Sequence, residues 1–222
     1  MKLPPLHERL LSDVLQAGAR YGLVLAGGYA VQAHELVSRI SQDLDFATTD
    51  PAGLDVITAH LARELTARGW QMRVVEVAPR MSRLTATDPV TGQACELDVL
   101  LEVFTSPPKQ TGIGPVLSLD DTIGLKTRAV HDRGFPRDLI DVFSARHLFS
   151  TVEMELLGAQ HEDDFDLEEL HARLEAAEFT HDREFMAYGM APDDVAELRH
   201  WIQVWADSLG TRLAARYHEE TE

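Results

Sequence analysis

The fold turns on residues 25–48, LAGGYAVQAHELVSRISQDLDFAT. Just before and into it, Leu23-Val24-Leu25-Ala26 is a short apolar run stopped by Gly27-Gly28, the pattern of a buried strand ending in a tight turn. Tyr29–Val37 then reads as a helix, and Leu44–Ala47 returns to strand. On a strand, residues i and i+2 share a face, so Asp43 and Asp45 project together while Leu44 and Phe46 turn to the core. Two adjacent carboxylates repel unless a cation or hydrogen bonds compensate, and hard oxygen ligands suit Mg²⁺ or Mn²⁺. The bland alternative is a pair of solvated aspartates at a strand edge. Two neighbours weigh against it. Gly27-Gly28 is a turn without side chains, where backbone N–H groups can approach a phosphate, although it is neither G-x-G-x-x-G nor a Walker A sequence. Glu96-Leu97-Asp98, in the run CELDVLLEV, is a second pair of acids on one strand face, and either could be a third ligand completing a two-metal site for phosphoryl displacement.

Working outward, Leu10–Ala19 is a short amphipathic helix, and Leu54–Arg68 is a longer one between the Asp50-Pro51 turn and Gly69. Three β-rich runs follow, Met72–Val77, Ser82–Thr87 and Ala94–Val103. Strand, helix, strand, helix and then a meander predict an α/β fold, a mixed sheet carrying helices, over residues 1–108. Beyond Pro107-Pro108 the pattern is wholly helical, with Leu119–Val130, Pro136–Phe149, Val152–Ala159, Leu167–Ala177 and Asp193–Leu209 forming a helical C-terminal region, 109–222.

The chain has 222 residues, 45% of them hydrophobic and 26% charged, which suits a packed globular protein rather than a disordered one. Its net charge of −17 would argue against a nucleic-acid partner if it were spread evenly. It is not: residues 1–110 sum to −3, 111–150 to zero and 151–222 to −14, so any polyanion site belongs in residues 1–150. No apolar run approaches the ~20 residues of a membrane helix, and MKLPPL leads into charged residues rather than a signal-peptide core. The single cysteine, Cys95, sits in an apolar strand as a small hydrophobe and excludes an internal disulfide; together these features point to a cytoplasmic protein. Ten histidines show no zinc-site spacing, the acidic run 161–169 lacks the order of an EF-hand, and Trp201 and Trp205 lie one helical turn apart as a core-packing stripe.

Gly27-Gly28, a helix, Asp43-Leu44-Asp45 and a later acid at Asp98 resemble the nucleotidyltransferases of the polymerase-beta type. Within that superfamily, Arg39, Ser41, Asp43 and Asp45 fall in register with the first motif of the AbiEii/AbiGii toxin family. Lys126, Arg133, Arg137, Asp138 and Asp141 match its later pattern of a helical lysine, an arginine and a basic-Asp-x-x-Asp helix. The resemblance covers residues 20–150. It implies transfer of a nucleotide from a nucleoside triphosphate (NTP) to an acceptor hydroxyl, with tRNA as one acceptor and a cognate antitoxin as partner. Gly27, Gly28, Arg39, Ser41 and Lys126 would bind the triphosphate, and Asp43, Asp45 and Asp98 two Mg²⁺ ions. Asp98 would help activate the hydroxyl, and residues 109–150 would contribute Lys126 and Asp141 to catalysis. From the residues alone, Asp138 and Asp141 share a helix face among apolar neighbours, so Asp141 needs a partner, with Lys126 and Arg133 as candidates. An antibiotic-modifying nucleotidyltransferase of the aminoglycoside or lincosamide type also begins with Gly-Gly at a helix and carries Asp-x-Asp, but commonly has tryptophan where this chain has Tyr29. A catalytically inactive nucleotide-binding module is the other alternative.

Overall fold

The structure, a computed structural model, describes residues 3–39 and 41–221; Met1 and Lys2, the start of the segment read as lacking a signal sequence, lie outside them. It divides into two compact units, one running to Thr122 and one beginning at Ile123.

In the first unit the chain runs α1 (Pro5–Ala17), β1 (Val24–Leu25), α2 (Gly27–Ala33), β2 (Leu44–Thr48), α3 (Leu54–Ala67), β3 (Gln71–Val77), β4 (Met81–Thr87), β5 (Ala94–Leu101), β6 (Lys109–Thr111) and β7 (Gly114–Val116). The strands form one mixed sheet in the order β3-β4-β5-β2-β1-β7-β6. β2 is the pivot, antiparallel to β1 and parallel to β5. Leu44 and Phe46 of β2, Leu97 and Val99 of β5, and Leu84 of β4 are fully buried in a core shared with Ile57, Leu61 and Leu65 of α3. These residues recur every second position on the strands and every third or fourth on the helix, so one sheet face becomes apolar and the alternate residues are left on the other.

Two expectations are corrected here. The region after Pro107-Pro108 is not wholly helical: β6 and β7 form a hairpin, and Leu25 of β1 pairs with Val116 of β7, so the sheet continues past residue 108. The helix expected over Tyr29–Val37 begins at Gly27 and ends at Ala33. Glu35 adopts a left-handed φ of 63°, and the Glu35 and Leu36 N–H groups return to the Gln32 and Val31 carbonyls, the double bond of a Schellman stop.

α4 (Leu119–Asp132) starts in the first unit and leads into the second. There follow α5 (Pro136–Ser144), α6 (Thr151–Ala159), α7 (Leu167–Ala176), α8 (Asp182–Met186) and α9 (Pro192–Thr221). α9 buries Val195, Leu198, Ile202, Trp205 and Leu209, alternating three- and four-residue steps that keep one stripe against α7, α5 and α8. Trp205 is a core residue, its indole N–H donating to Glu155 at 2.8 Å, and Trp201 packs edge-on against Phe143. No helix among the described residues is long and apolar enough to cross a membrane.

Candidate active site

The acids come together through strand register. Asp45 of β2 pairs with Asp98 of β5 on a parallel neighbour, so the two side chains stand on one face of the sheet. Asp43 lies in the bend just before β2, not on the strand face expected of it. Glu96 lies two residues before Asp98 on that face. Next along the row is Arg83 of β4, the cross-strand partner of Asp98. Its guanidinium donates bidentately to Asp98, Nε to Oδ1 at 2.9 Å and Nη2 to Oδ2 at 2.7 Å, and lies 3.3 Å from Glu96 Oε1. The Asp98 bond holds Arg83 still further above the ordinary guanidinium range. Of the two candidate third acids, Asp98 is buried while Glu96 is half-exposed, and the fork of Arg83 is centred on Asp98.

The glycines are required by the protein's own side chains. Gly27 has a left-handed φ of 57°, and a Cβ built there would overlap the carboxyl group of Asp45 and come within 2.7 Å of its Cβ. A Cβ on Gly28 would lie 2.7 Å from Ser41 Oγ and 3.6 Å from Arg39 Nη1. Without side chains at 27 and 28, the start of α2 packs directly on Asp45, Ser41 and Arg39. Ser41 Oγ donates to Asp43 Oδ1 at 2.7 Å. The Gly-Gly turn, Arg39, Ser41, Asp43, Asp45 and Asp98 are thus gathered within the first unit.

Two residues outside the motifs support this cluster. The Tyr29 hydroxyl donates to the Ser41 carbonyl at 3.1 Å, which leaves its oxygen to accept from His7 Nδ1, 2.6 Å away. Burial raises the Tyr29 phenol far above its usual range, with Cys95 and Asp43 adding to the effect. Burial lowers His7, against the pull of Asp43. His7 is therefore neutral near pH 7 and able to serve as a fixed donor to Tyr29. Cys95 is buried with its thiol pushed up to about 12, mainly by that burial, as an inert apolar residue should be.

Lys126, Asp138, Asp141 and Arg133 form a network in the second unit. Lys126 Nζ lies 2.8 Å from Asp141 Oδ2 and 4.0 Å from Asp138 Oδ1, and both carboxylates are fully buried. The partner required by Asp141 is Lys126, while Arg133 forks onto Asp138 at 2.8 and 3.1 Å. Sequence reasoning missed Arg83, His7 and Tyr29. Arg83 faces Asp98 only once strand register is known, and nothing local marks a histidine on an N-terminal helix as supporting a loop over thirty residues away.

Hard carboxylate oxygens on one face fit a divalent cation by donor chemistry. Among the described residues, however, no three His, Cys, Asp or Glu side chains are assembled as a ready cluster. Oxygens of Asp98 and Asp43 are engaged instead by Arg83 and Ser41.

Compared with known proteins, residues 9–204 match the family described as "Nucleotidyl transferase AbiEii toxin, Type IV TA system". No protein of curated function matches the chain by sequence. Among solved structures, JHP933 from Helicobacter pylori is 18% identical, covering 99% of this chain and 98% of its own, with a TM-score of 0.55. MenT4, a nucleotidyltransferase toxin from Mycobacterium tuberculosis H37Rv, is 16% identical, covering 95% and 92%, with a TM-score of 0.56. At such identities the structural likeness establishes a shared fold.

Proposed function

This chain belongs to the AbiEii nucleotidyl transferase toxin family, and from that premise we propose that it moves a nucleoside monophosphate from an NTP to an acceptor hydroxyl in a divalent-metal-dependent reaction, with the 3′ end of tRNA as the acceptor. The observation that carries the reading is the Asp45–Asp98 register, which sets a second strand's carboxylate beside the Asp-Leu-Asp pair. Asp43, Asp45 and Asp98 would hold Mg²⁺ or Mn²⁺. When bound, such ions neutralise triphosphate charge and make a hydroxyl a better nucleophile.

The protein's own groups do the rest. Gly27 and Gly28 give the triphosphate access to backbone at the start of α2, with Arg39 and Ser41 beside it. Asp98, held by the fork of Arg83 until a cation takes its place, would accept the proton of the acceptor hydroxyl. Lys126 is the phosphate-directed cation on the strength of the family pattern, and Asp141 and Asp138 fix its ammonium. Ser41 in turn fixes Asp43, and Tyr29 fixes Ser41. A toxin of this kind implies a cognate antitoxin as partner, and the lone buried cysteine agrees with work in a reducing cytoplasm.

The test is incubation with each α-labelled NTP, Mg²⁺ and total RNA. Label entering the tRNA fraction supports the reading. Label entering only a small molecule replaces the acceptor, and no transfer to any acceptor overturns the proposal.

A further inference from the structure

The short connection between α4 and α5 presents an aromatic ring with two guanidiniums near it. Phe135 is 49% exposed, with the Arg133 guanidinium carbon 5.3 Å and that of Arg137 5.8 Å from its ring centroid. The presentation is rigid. Gly134 takes a left-handed φ of 57° as its N–H closes α4 on the Ala129 carbonyl, and Phe135 is the extended residue before Pro136, which starts α5. Arg133 is pinned by the fully buried Asp138. Arg137 pairs with no carboxylate among the described residues. The surrounding charge is also unlike the rest of the second unit: residues 123–150 hold five bases and three acids, whereas 151–222 hold five bases and nineteen acids.

An exposed phenyl ring has no structural need for two cations. Together they match a ligand that offers planar faces and negative charge side by side. Unpaired nucleotides have that chemistry, the base stacking on the ring and the flanking phosphates meeting the guanidiniums, while a duplex hides its base faces. We propose that Phe135, Arg133 and Arg137 form a stacking platform for an unpaired stretch of the nucleic-acid acceptor. The inference rests on the reading that the acceptor is RNA and adds that the bound segment is single-stranded.

The experiment measures fluorescence anisotropy of a short labelled single-stranded RNA and of the same sequence in a duplex, on the full chain, beside incorporation of label into RNA. Phe135→Ala should weaken single-strand binding roughly 5- to 150-fold, the range of one base–aromatic stack. Duplex binding should change little, and Phe135→Trp should retain the affinity. Phe135→Leu, which keeps an apolar side chain and guards against a folding defect, should fall with alanine. Arg137→Ala should reduce the salt dependence by about one phosphate contact, a slope change of roughly 0.7 for a single strand. If the wild type labels RNA and Phe135→Ala binds single strands as well as it does, the platform is refuted while the transferase reading stands, and the ring is left to a protein partner. Equal loss on single strands and duplex also refutes stacking. A wild type that labels no RNA removes the acceptor reading itself, and the platform with it.

Discussion

Gly27→Ala is the sharpest structural perturbation available. The new Cβ would stand 2.7 Å from Asp45 Cβ and overlap the carboxyl group beyond it, and φ at this residue is +57°. Carbon atoms in contact sit about 4 Å apart, so rotating the Asp45 side chain cannot relieve a clash with its own Cβ; the strand or the helix start must move by an ångström or more. A left-handed alanine costs about 1–2 kcal/mol and overpacking a further ~1–3 kcal/mol, roughly 2–5 kcal/mol together. In a chain of this size that lowers the melting temperature by about 4–20 °C and leaves the protein folded. Activity should suffer far more, because a 1 Å displacement of a reacting constellation costs on the order of 100-fold. Gly28→Ala is the internal control. Its Cβ meets the movable Ser41 hydroxyl, and its φ is not left-handed, so the loss should be smaller in both measurements. Thermal melts and labelled-nucleotide transfer, run side by side, decide the matter. Full transfer and an unshifted melt for Gly27→Ala would refute the packing of the glycine turn on Asp45.

Other outcomes follow from the same geometry. Arg83→Met removes a bidentate partner from the nearly buried Asp98, and because Arg83 is itself partly exposed the apo protein should lose only about 1–3 kcal/mol. Its thermal stabilisation by Mg²⁺ and NTP should exceed that of the wild type, since a cation no longer displaces a guanidinium; equal stabilisation would show that Arg83 and the cation do not compete. Lys126→Met and Asp141→Asn should each destabilise strongly, by up to about 3–5 kcal/mol, and the double variant should cost less than the sum, as chemical denaturation would reveal. Burial lowers the pKa of His7, so its contribution to stability is fully present above the ordinary histidine value of 6.5 and is lost as pH falls toward the lowered folded-state value; His7→Gln should flatten that decline in melts run across this window. Tyr29→Phe should slow transfer without abolishing it, because it frees the Ser41 carbonyl but leaves every acid in place.

What the sequence revealed followed its periodicity. β2 and α3 announce themselves by alternation and by a helical stripe, β3 and β4 by runs with several β-branched residues, and β5 by an apolar run after a turn. The β6–β7 hairpin does not. Lys-Gln-Thr and Gly-Pro-Val are three-residue segments, the second containing a proline, and they are strands because β7 pairs with Leu25 of β1 and β6 with β7. The end of α2 was hidden likewise, because Glu35 occupies a left-handed position where glycine would have signalled the stop. In the site, the Asp-Leu-Asp spacing singles out Asp43 and Asp45, but β2 begins at Leu44 and carries only the second of them. That Asp98 rather than Glu96 takes Arg83's fork depends on β4–β5 register, which no local pattern encodes. The five-residue α8 is too short to show a period.

Nucleotide transfer in this protein depends, on the reading proposed above, on the carboxylates of β2 and β5. The most direct test compares wild type with Asp45→Asn for label transferred from NTP to RNA, with and without a chelator, each protein's melt serving as the fold control. The wild type should transfer label in a reaction that the chelator abolishes, and Asp45→Asn should transfer none despite an intact melt. Chelator-resistant transfer, or an Asp45→Asn variant working at the wild-type rate, would contradict it.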